Sequence, residues 1–297
     1  MKKPVITVVG SINMDLVTVA KKAPAQGETI LGERFHQIPG GKGANQAVAC
    51  ARLGAEVHMI GAVGDDSFGS FLKQHLEKEG IHVTDVKPVT HTETGVASIT
   101  ISEGDNRIIV VPGANAKLTP EDVAKSEEII AKSDMCVIQL EIPIETVEMA
   151  AKLAKKHGVN VILNPAPAQP LPSALIQSVD WLTPNEHERP IVLQHVEEKD
   201  VFEKLITTEG KKGVKIMRNG TPKQIKGFTV PVVDTTGAGD TFNGALSVAL
   251  SKGMEIEDAC RFANAAAALS VTKLGAQSAM PTEEAVYEFL KTKGEGE

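Results

Sequence analysis

The chain has 297 residues, of which 42% are hydrophobic and 23% are charged, so it can build a large core in one big domain or two smaller ones. Its net charge of -7 and its aromatic content of only 3% exclude the basic surface and the stacking platforms of a nucleic-acid-binding protein.

The cysteines and the amino-terminal segment indicate the cellular compartment in which the chain functions. Cys50, Cys136 and Cys260 are scattered and form no C-x-x-C pair, which favours buried thiols in a reducing cytoplasm. The eight histidines show no H-E-x-x-H or similar metal-binding spacing. The apolar run after Met1 is too short for a signal peptide, and no segment could span a bilayer, so we expect no membrane partner.

In chain order, most of the sequence alternates between predicted strands and helices. The first strand, Val5–Val9, is a β-branched run typical of a strand buried on both faces. Further strands are predicted at residues 57–60, 135–139, 159–163, 181–183 and 205–207. Helices are predicted at residues 43–53, 68–79 and 144–156, each followed by a glycine. This alternation predicts an α/β fold with a mostly parallel sheet and helices on both faces.

One stretch departs from this alternation. Residues 95–101 and 107–111 flank the turn sequence Ser-Glu-Gly-Asp-Asn, which predicts a hairpin. Residues 16–19 and 29–31 are predicted to add strands to it. We therefore expect a single domain over residues 1–297 with a small β-sheet lid formed from about 13–38 and 94–112, and with Gly40 and Gly41 as its flexible junction.

Polar residues follow the ends of several predicted strands, where open α/β sheets bind ligands. Carboxylates and amides that meet at one edge suit a polyhydroxylated ligand, although each residue alone could serve as a cap or turn. These candidates are Asn13, Asp15, Lys42, Gly43, Asn45, Glu141, Asn164, Asn185, Glu188, Thr208, Glu209 and Gly210.

The most informative motif is Asp-Thr-Thr-Gly-Ala-Gly-Asp at residues 234–240, directly before a helical pattern. Amides at a helix start attract phosphate, and Asp240 beside them suits a base that deprotonates an attacking hydroxyl. The alternative is that Asp240 only caps the helix. A dinucleotide fingerprint is disfavoured because Phe242 stands where its third glycine belongs, and no Walker sequence occurs in the chain.

From about residue 6 to 281 the chain resembles the ribokinase family of ATP-dependent sugar and nucleoside kinases, also called PfkB carbohydrate kinases. The resemblance is carried by GSINMD (10–15), PGGKGANQA (39–47), LEIP (140–143), NPAPA (164–168), TPNEHE (183–188), VDTTGAGDTFNGA (233–245) and FANAAAALSV (262–271). GGKGANQA and NPAPA are the more specific motifs, and they point to D-ribose, phosphorylated at O5, as the substrate. The family fold is a three-layer αβα sandwich with a β-sheet lid.

The resemblance also implies a role for each matching residue. Asp240 would be the base, and the amides of Gly237, Ala238 and Gly239 would hold the transferred phosphoryl group. The ribose would be bound by Asn13, Asp15, Gly41, Lys42, Gly43, Asn45 and Glu141. ATP and Mg²⁺ would involve Asn185, Glu188, Thr208, Glu209, Gly210, Lys211, Gly213, Gly239 and Asn264. A monovalent cation activator, K⁺, would lie near Asp234, Thr236, Ser270, Lys273, Gly275 and Ala279. Family members of this kind pair through their lids, so we expect a homodimer.

Two departures from the family pattern bear on these roles. Between Glu188 and Leu205 the chain is shorter than its relatives by about a dozen residues in a comparison by eye, and Pro190 is expected to restrict helix continuation there. Ala279 stands where the family often has Ser, which a backbone ligand would tolerate.

Three other functions remain open from sequence alone. The first is a kinase of the same family that acts on another sugar or on a nucleoside. The second is a sugar-binding sensor without catalytic activity, which the intact Asp240 disfavours. The third is a scaffold protein, for which charge and composition give no support.

Overall fold

The computed structural model describes residues 3–103 and 105–294. Its strands, in chain order, are β1 (Val5–Val9), β2 (Asn13–Val19), β3 (Arg34–Gly40), β4 (Glu56–Gly64), β5 (Val86–Val89), β6 (Gly95–Ser102), β7 (Asp105–Val111), β8 (Met135–Gln139), β9 (Asn160–Asn164), β10 (Trp181–Leu182), β11 (Ile206–Thr208), β12 (Gly213–Arg218) and β13 (Thr221–Lys226). Its α-helices are α1 (Lys42–Arg52), α2 (Ser67–Lys78), α3 (Pro120–Lys125), α4 (Glu127–Ala131), α5 (Ile144–Lys156), α6 (Ser173–Ser178), α7 (Glu188–Val192), α8 (Ala238–Ser251), α9 (Ile256–Ser270), α10 (Ala276–Ala279) and α11 (Glu283–Gly294).

A six-stranded parallel sheet forms the centre of the molecule, in the order β10-β9-β8-β1-β4-β5. Helices cover both of its faces and create two apolar clusters. One cluster packs α1, α2, α8 and α9 against the sheet, and the other packs α3 to α6. The predicted α/β class, the mostly parallel sheet and the three-layer arrangement are confirmed. They could be predicted because strands buried on both faces must be apolar throughout.

A second sheet has four strands in the order β3-β2-β6-β7. The predicted hairpin of β6 and β7 is confirmed as an antiparallel pair, and β2 lies parallel to β6. Gly104, in the predicted turn, lies outside the described residues. The predicted strand at residues 29–31 is wrong: this segment is irregular, Leu31 is 94% exposed, and the strand beside β2 is β3.

A third sheet, with antiparallel strands β11-β12-β13, follows the central sheet in sequence. The predicted strand at residues 205–207 is present as β11, displaced by one residue, whereas the hairpin of β12 and β13 was not predicted. Its turn is Asn219-Gly220 with both residues at positive φ, which is a recognised hairpin signal.

Pro190, which is expected from the sequence to restrict helix continuation, lies within the short helix α7. It lies in the first turn of α7, where its missing N–H has no intrahelical partner to lose, and the helix runs to Val192. For residues 3–103 and 105–294, none of the helices is both long and apolar enough to be a candidate membrane span.

Candidate active site

A cavity of about 750 Å³ lies between the carboxyl edge of the central sheet and the four-stranded sheet. The four-stranded sheet lines it with Ala97, Ile99, Ile108 and Val110. The polar lining includes Asn13 and Asp15 from β2 of the same sheet, and Lys42, Asn45, Glu141, Thr236 and Asp240 from the rest of the molecule. The cavity therefore has one apolar wall and a dense group of hydroxyl-binding and charged groups.

The turn before α8 aims a helix amino terminus at this cavity. Gly237 has a left-handed conformation (φ 75°), and a Cβ atom there would lie 2.8 Å from the Cβ atom of Ala276. Glycine is therefore required for both backbone angle and space. The Ala238 N–H donates to the Thr235 carbonyl at 3.2 Å, which closes the turn.

Asp240 lies in the first turn of α8 and is only 7% exposed. Its two carboxylate oxygens accept hydrogen bonds from the side-chain amides of Asn45, at 2.9 Å, and Gln46, at 3.0 Å. The hydrogen bonds of its side chain thus go to α1 and not to the backbone at the start of α8. Both bonds fix the carboxylate without adding a positive charge that would neutralise it.

The electrostatics of the cavity follow from burial and crowded charges. Burial raises the pKa of Asp240, while the charge of Lys42 and the two amide donors act against that rise. Burial, followed by the charges of Glu141 and Asp240, raises the pKa of Asp15 to about 7. Burial alone would lower the pKa of Lys42, but the surrounding carboxylates outweigh it and raise the pKa, so this ammonium group stays charged.

The turn between β3 and α1 forms a further part of the cavity lining, through Gly41 and Lys42. Gly41 has φ 89°, and a Cβ there would approach the Asn13 amide nitrogen to 2.7 Å. Glu141 accepts hydrogen bonds from the Ser11 hydroxyl (2.5 Å) and from the Lys42 amide (3.1 Å). A Cβ at Gly43 would meet the Ser11 amide at 2.6 Å, so this glycine lets α1 begin directly against the end of β1.

Sequence reasoning missed several residues that hold the site in place. The Asn115 side chain bonds both backbone groups of Ile12 and donates to the Asn13 Oδ1 atom at 2.7 Å. Gln277 donates to Asn45 at 2.9 Å, and Gln139 donates to Gln46 at 2.7 Å. Buried polar side chains of this kind must find partners, but only the fold reveals which ones.

The residues predicted to bind nucleotide lie outside this cavity. Asn185 and Glu188 cap each other: Asn185 Oδ1 accepts from the Glu188 amide at 2.8 Å, and Glu188 Oε2 accepts from the Asn185 amide at 2.9 Å. Thr208 ends β11, Glu209, Gly210 and Lys211 lie in the turn that follows, and Gly213 begins β12. The Asn264 side-chain amide donates to the carbonyls of Ile225 and Lys226, so it joins α9 to β13.

Of the residues predicted for the monovalent cation, Thr236 and Gly275 contact Asp234. Its carboxylate accepts from the Thr236 amide and hydroxyl, at 2.9 and 2.7 Å, and from the Gly275 amide at 2.9 Å. Burial would raise the pKa of Asp234, but these bonds outweigh it and lower the pKa. Lys273 precedes the same turn, Ala279 ends α10, and the Ser270 hydroxyl donates to the Ala267 carbonyl.

A buried carboxylate beside a helix amino terminus, facing a pocket of hydroxyl-binding groups, is suited to transfer a phosphoryl group to an alcohol. The class of protein that this fold and site define is a small-molecule kinase of the α/β type. The family model described as pfkB family carbohydrate kinase matches residues 3–283, and the chain belongs to this family.

Individual relatives agree with this family. The chain is 50% identical over 289 residues to the ribokinase of Bacillus subtilis (strain 168), covering 96% of this chain and 99% of that protein. The crystal structure of a ribokinase from Thermotoga maritima superposes with a TM-score of 0.87 at 40% identity, covering 97% and 99% of the two chains. Arabidopsis thaliana ribokinase, complexed with ribose and ATP, superposes with a TM-score of 0.90 at 35% identity, covering 98% and 99%.

Proposed function

We propose that this chain transfers the γ-phosphoryl group of ATP to the 5-hydroxyl of D-ribose, giving D-ribose 5-phosphate and ADP. The observation that carries the proposal is the position of Asp240, buried beside the amino terminus of α8 and lining the same cavity as Asp15 and Lys42. The family assignment and the similarity to the Arabidopsis ribokinase complexed with ribose and ATP support it.

Binding of the sugar follows from the lining of the cavity. A carboxylate accepts from two neighbouring hydroxyls, which suits Asp15, and Lys42 donates to hydroxyl oxygens. Asn13 and Asn45 add amides held in place by Asn115 and Gln277. Glu141 fixes the turn through Ser11 and the Lys42 amide, while Gly41 and Gly43 allow the backbone to approach.

In the transfer step Asp240 accepts the proton of the ribose 5-hydroxyl. The ribose oxygen forms its bond to the γ-phosphorus while the bond from that phosphorus to the β,γ-bridging oxygen breaks, and ADP leaves. The amides of Gly237, Ala238 and Gly239 stabilise the charge on the moving phosphoryl group. The burial that raises the pKa of Asp240 makes it a better proton acceptor than an exposed aspartate.

The nucleotide is proposed to extend toward the turn between β11 and β12 and toward Asn264. Asn185 and Glu188 offer hard oxygen donors, which suit Mg²⁺, and their mutual capping holds them at the start of α7. Bound Mg²⁺ would neutralise charge on the β- and γ-phosphates.

A monovalent cation activator is proposed at the Asp234 turn. The residues present fit K⁺ in their chemistry, since Asp234 offers a carboxylate of lowered pKa beside the Thr236 hydroxyl. Backbone carbonyls of Ser270, Lys273, Gly275 and Ala279 would complete the oxygen ligands. This turn leads directly into the Gly237 turn, so order at the cation site would help to order the phosphoryl-binding amides.

We also propose a cytoplasmic homodimer that pairs through the four-stranded sheet. Cys50, Cys136 and Cys260 are buried free thiols, which suits a reducing compartment. Phe35, Ile109 and Val111 are 57%, 69% and 54% exposed, and the strand register places them on the face of the sheet opposite the cavity. A second copy of this chain would cover that apolar face.

The test is a coupled assay of ADP formation with ribose, 2-deoxyribose, fructose and adenosine, in buffers containing K⁺ or a bulky organic cation. We expect ribose-dependent turnover that is faster with K⁺, and a product with the phosphate on C5 by NMR. Equal or higher kcat/KM on fructose or adenosine would assign the chain to another substrate. ATP consumption that does not depend on any sugar would contradict the proposal altogether.

A further inference from the structure

A second group of chemically reactive side chains lies at the opposite end of the central sheet from the cavity. Glu56, His58 and His82 place three potential metal-ligand atoms within 4.8 Å of one another. The Nε2 atoms of His58 and His82 lie 3.6 and 4.0 Å from the same oxygen of Glu56. Glu56 opens β4 at its amino end, whereas the proposed catalytic groups follow the carboxyl ends of the strands.

The backbone explains why these three side chains meet. Glu56 and His58 are two residues apart on β4, so they share one face of the strand. His82 pairs directly with His58 through a parallel bridge, and its amide and carbonyl bond to the Val57 carbonyl and the Met59 amide at 2.9 Å each. The two imidazole rings consequently stack, with centroids 4.5 Å apart. Because regular backbone bonds set this geometry, little further ordering is needed to bind an ion.

We propose that Glu56, His58 and His82 form a surface site for a divalent transition metal ion of the zinc type. Two imidazoles and one carboxylate are ligands that Zn²⁺ accepts, with water in the fourth position. Ligand atoms about 2.0–2.1 Å from a tetrahedral ion lie roughly 3.3 Å apart. The two imidazole-to-carboxylate distances, 3.6 and 4.0 Å, would therefore shorten on binding, and side-chain rotation would bring the two imidazole nitrogens together.

Charge and exposure agree with this assignment. The carboxylate of Asp85 lies close enough to act electrostatically on His58, which adds negative potential to that of Glu56. The side chains of His82 and Glu56 are 53% and 48% exposed, so an ion has a route to them from solvent. Bound metal would join the segment after α2 to the start of β4, which makes the site a structural clamp.

Other side chains that could bind Zn²⁺ either bind it weakly or can be blocked by Mg²⁺ in the buffer. Burial raises the pKa of Cys50 and of Cys136 to about 12, so neither offers a thiolate near neutral pH. The carboxylates of the sugar cavity favour hard cations, and an excess of Mg²⁺ in the buffer suppresses transition-metal binding there.

The experiment is a calorimetric titration with Zn²⁺ at neutral pH in excess Mg²⁺, on the full chain without a histidine tag and stripped of metal by a chelator. We expect one saturable site per chain, an increase in Tm with Zn²⁺, and visible absorption bands of tetrahedral coordination when Co²⁺ replaces Zn²⁺. His82→Ala should weaken Zn²⁺ binding by about tenfold or more and abolish the Co²⁺ bands.

His157→Ala is the matched control, because His157 contacts Glu127 at 2.6 Å but belongs to no cluster of three metal-ligating side chains within residues 3–103 and 105–294. This variant should bind Zn²⁺ as the wild type does. Glu56→Gln, which preserves side-chain shape, decides the question if His82→Ala fails to fold. Absence of stoichiometric binding by the wild type, or equal affinity in the His82 or Glu56 variants and the control, would overturn the proposal.

Discussion

The central sheet and the four-stranded sheet both contain β-branched residues, but they differ in how far those residues are buried. Every residue of β8 is buried, and Val5 is the only residue of β1 that is partly exposed. By contrast, all residues of β7 are exposed, including Ile108 to Val111, although this strand is equally rich in β-branched side chains. Apolar strands buried between helices form a scaffold, whereas apolar strands left open offer surfaces for ligand and partner.

The proposed chemistry and the proposed association of two copies involve different parts of the molecule. Asp240 and its amide partners are attached to the helices that pack on the central sheet. The four-stranded sheet supplies one wall of the cavity and an exposed outer face. Substitutions in the first region should therefore change turnover, and substitutions on the outer face of the second should change assembly.

The largest expected effect is that of Asp240→Asn. Loss of the proton acceptor should lower kcat by about 10²–10⁴ while ribose and ATP still bind, measured by steady-state kinetics and calorimetry. The fold should persist, because burial already disfavours the charged form of this residue. Asp258→Asn is the matched control on the exposed face of α9 and should leave kcat unchanged. Turnover of Asp240→Asn within a few-fold of wild type would remove the base assignment.

The second effect concerns the outer face of the four-stranded sheet. Ile109→Glu places a charge in the proposed dimer interface and should weaken self-association by about 10–100-fold, measured by analytical ultracentrifugation over a dilution series. Ile191→Glu, at an exposed apolar position on α7, is the control and should not change the oligomeric state. A wild type that is monomeric at all concentrations, or an Ile109→Glu variant that still dimerises, would contradict pairing through this face.

The smallest effect is a dependence of stability on pH. Because the folded pKa of Asp15 is raised to about 7, the folded protein holds its proton between roughly pH 4 and 7, and the contribution of Asp15 to stability falls as pH rises through that window. Asp15→Asn should therefore increase the free energy of unfolding above pH 7 by about 1–2 kcal/mol, and by little near pH 4.

Asp122→Asn is the control of opposite sign for this pH dependence. Although burial acts in the other direction, hydrogen bonds from Lys87 and Thr119 hold the pKa of Asp122 below its ordinary value. That variant should lose stability at neutral pH. Denaturant unfolding at several pH values measures the stability of both variants. An Asp15→Asn variant that is less stable than wild type at pH 8 would show that burial and the neighbouring carboxylates do not destabilise the ionised Asp15.

The parts of the fold that could be predicted are those whose signal is local. Continuous β-branched runs and glycine-terminated helical patterns predicted five of the six strands of the central sheet, β5 excepted, and turn chemistry predicted the hairpin of β6 and β7. The Asn219-Gly220 turn carried an equally local signal that the sequence reading did not use. The error at residues 29–31 arose because a short apolar pattern does not reveal whether a neighbouring strand is available to pair.

The site was predictable to the extent that its residues follow strand ends. Asn13, Asp15, Lys42, Glu141 and Asp240 line one cavity although up to 227 positions separate them in the chain, from 13 to 240. The supporting amides could not be found in this way, since contacts such as Gln277 with Asn45 join segments 232 residues apart. The His58 and His82 pair was missed for the same reason: only strand pairing brings the two imidazoles together.

The most direct test of the account is a crystal structure of the chain with ribose and a non-hydrolysable ATP analogue. The account predicts the ribose O5 atom within about 3 Å of an Asp240 carboxylate oxygen and the γ-phosphoryl group against the amides of residues 237–239. A sugar bound away from Asp240, or a triphosphate terminus that does not reach the Gly237 turn, would contradict it.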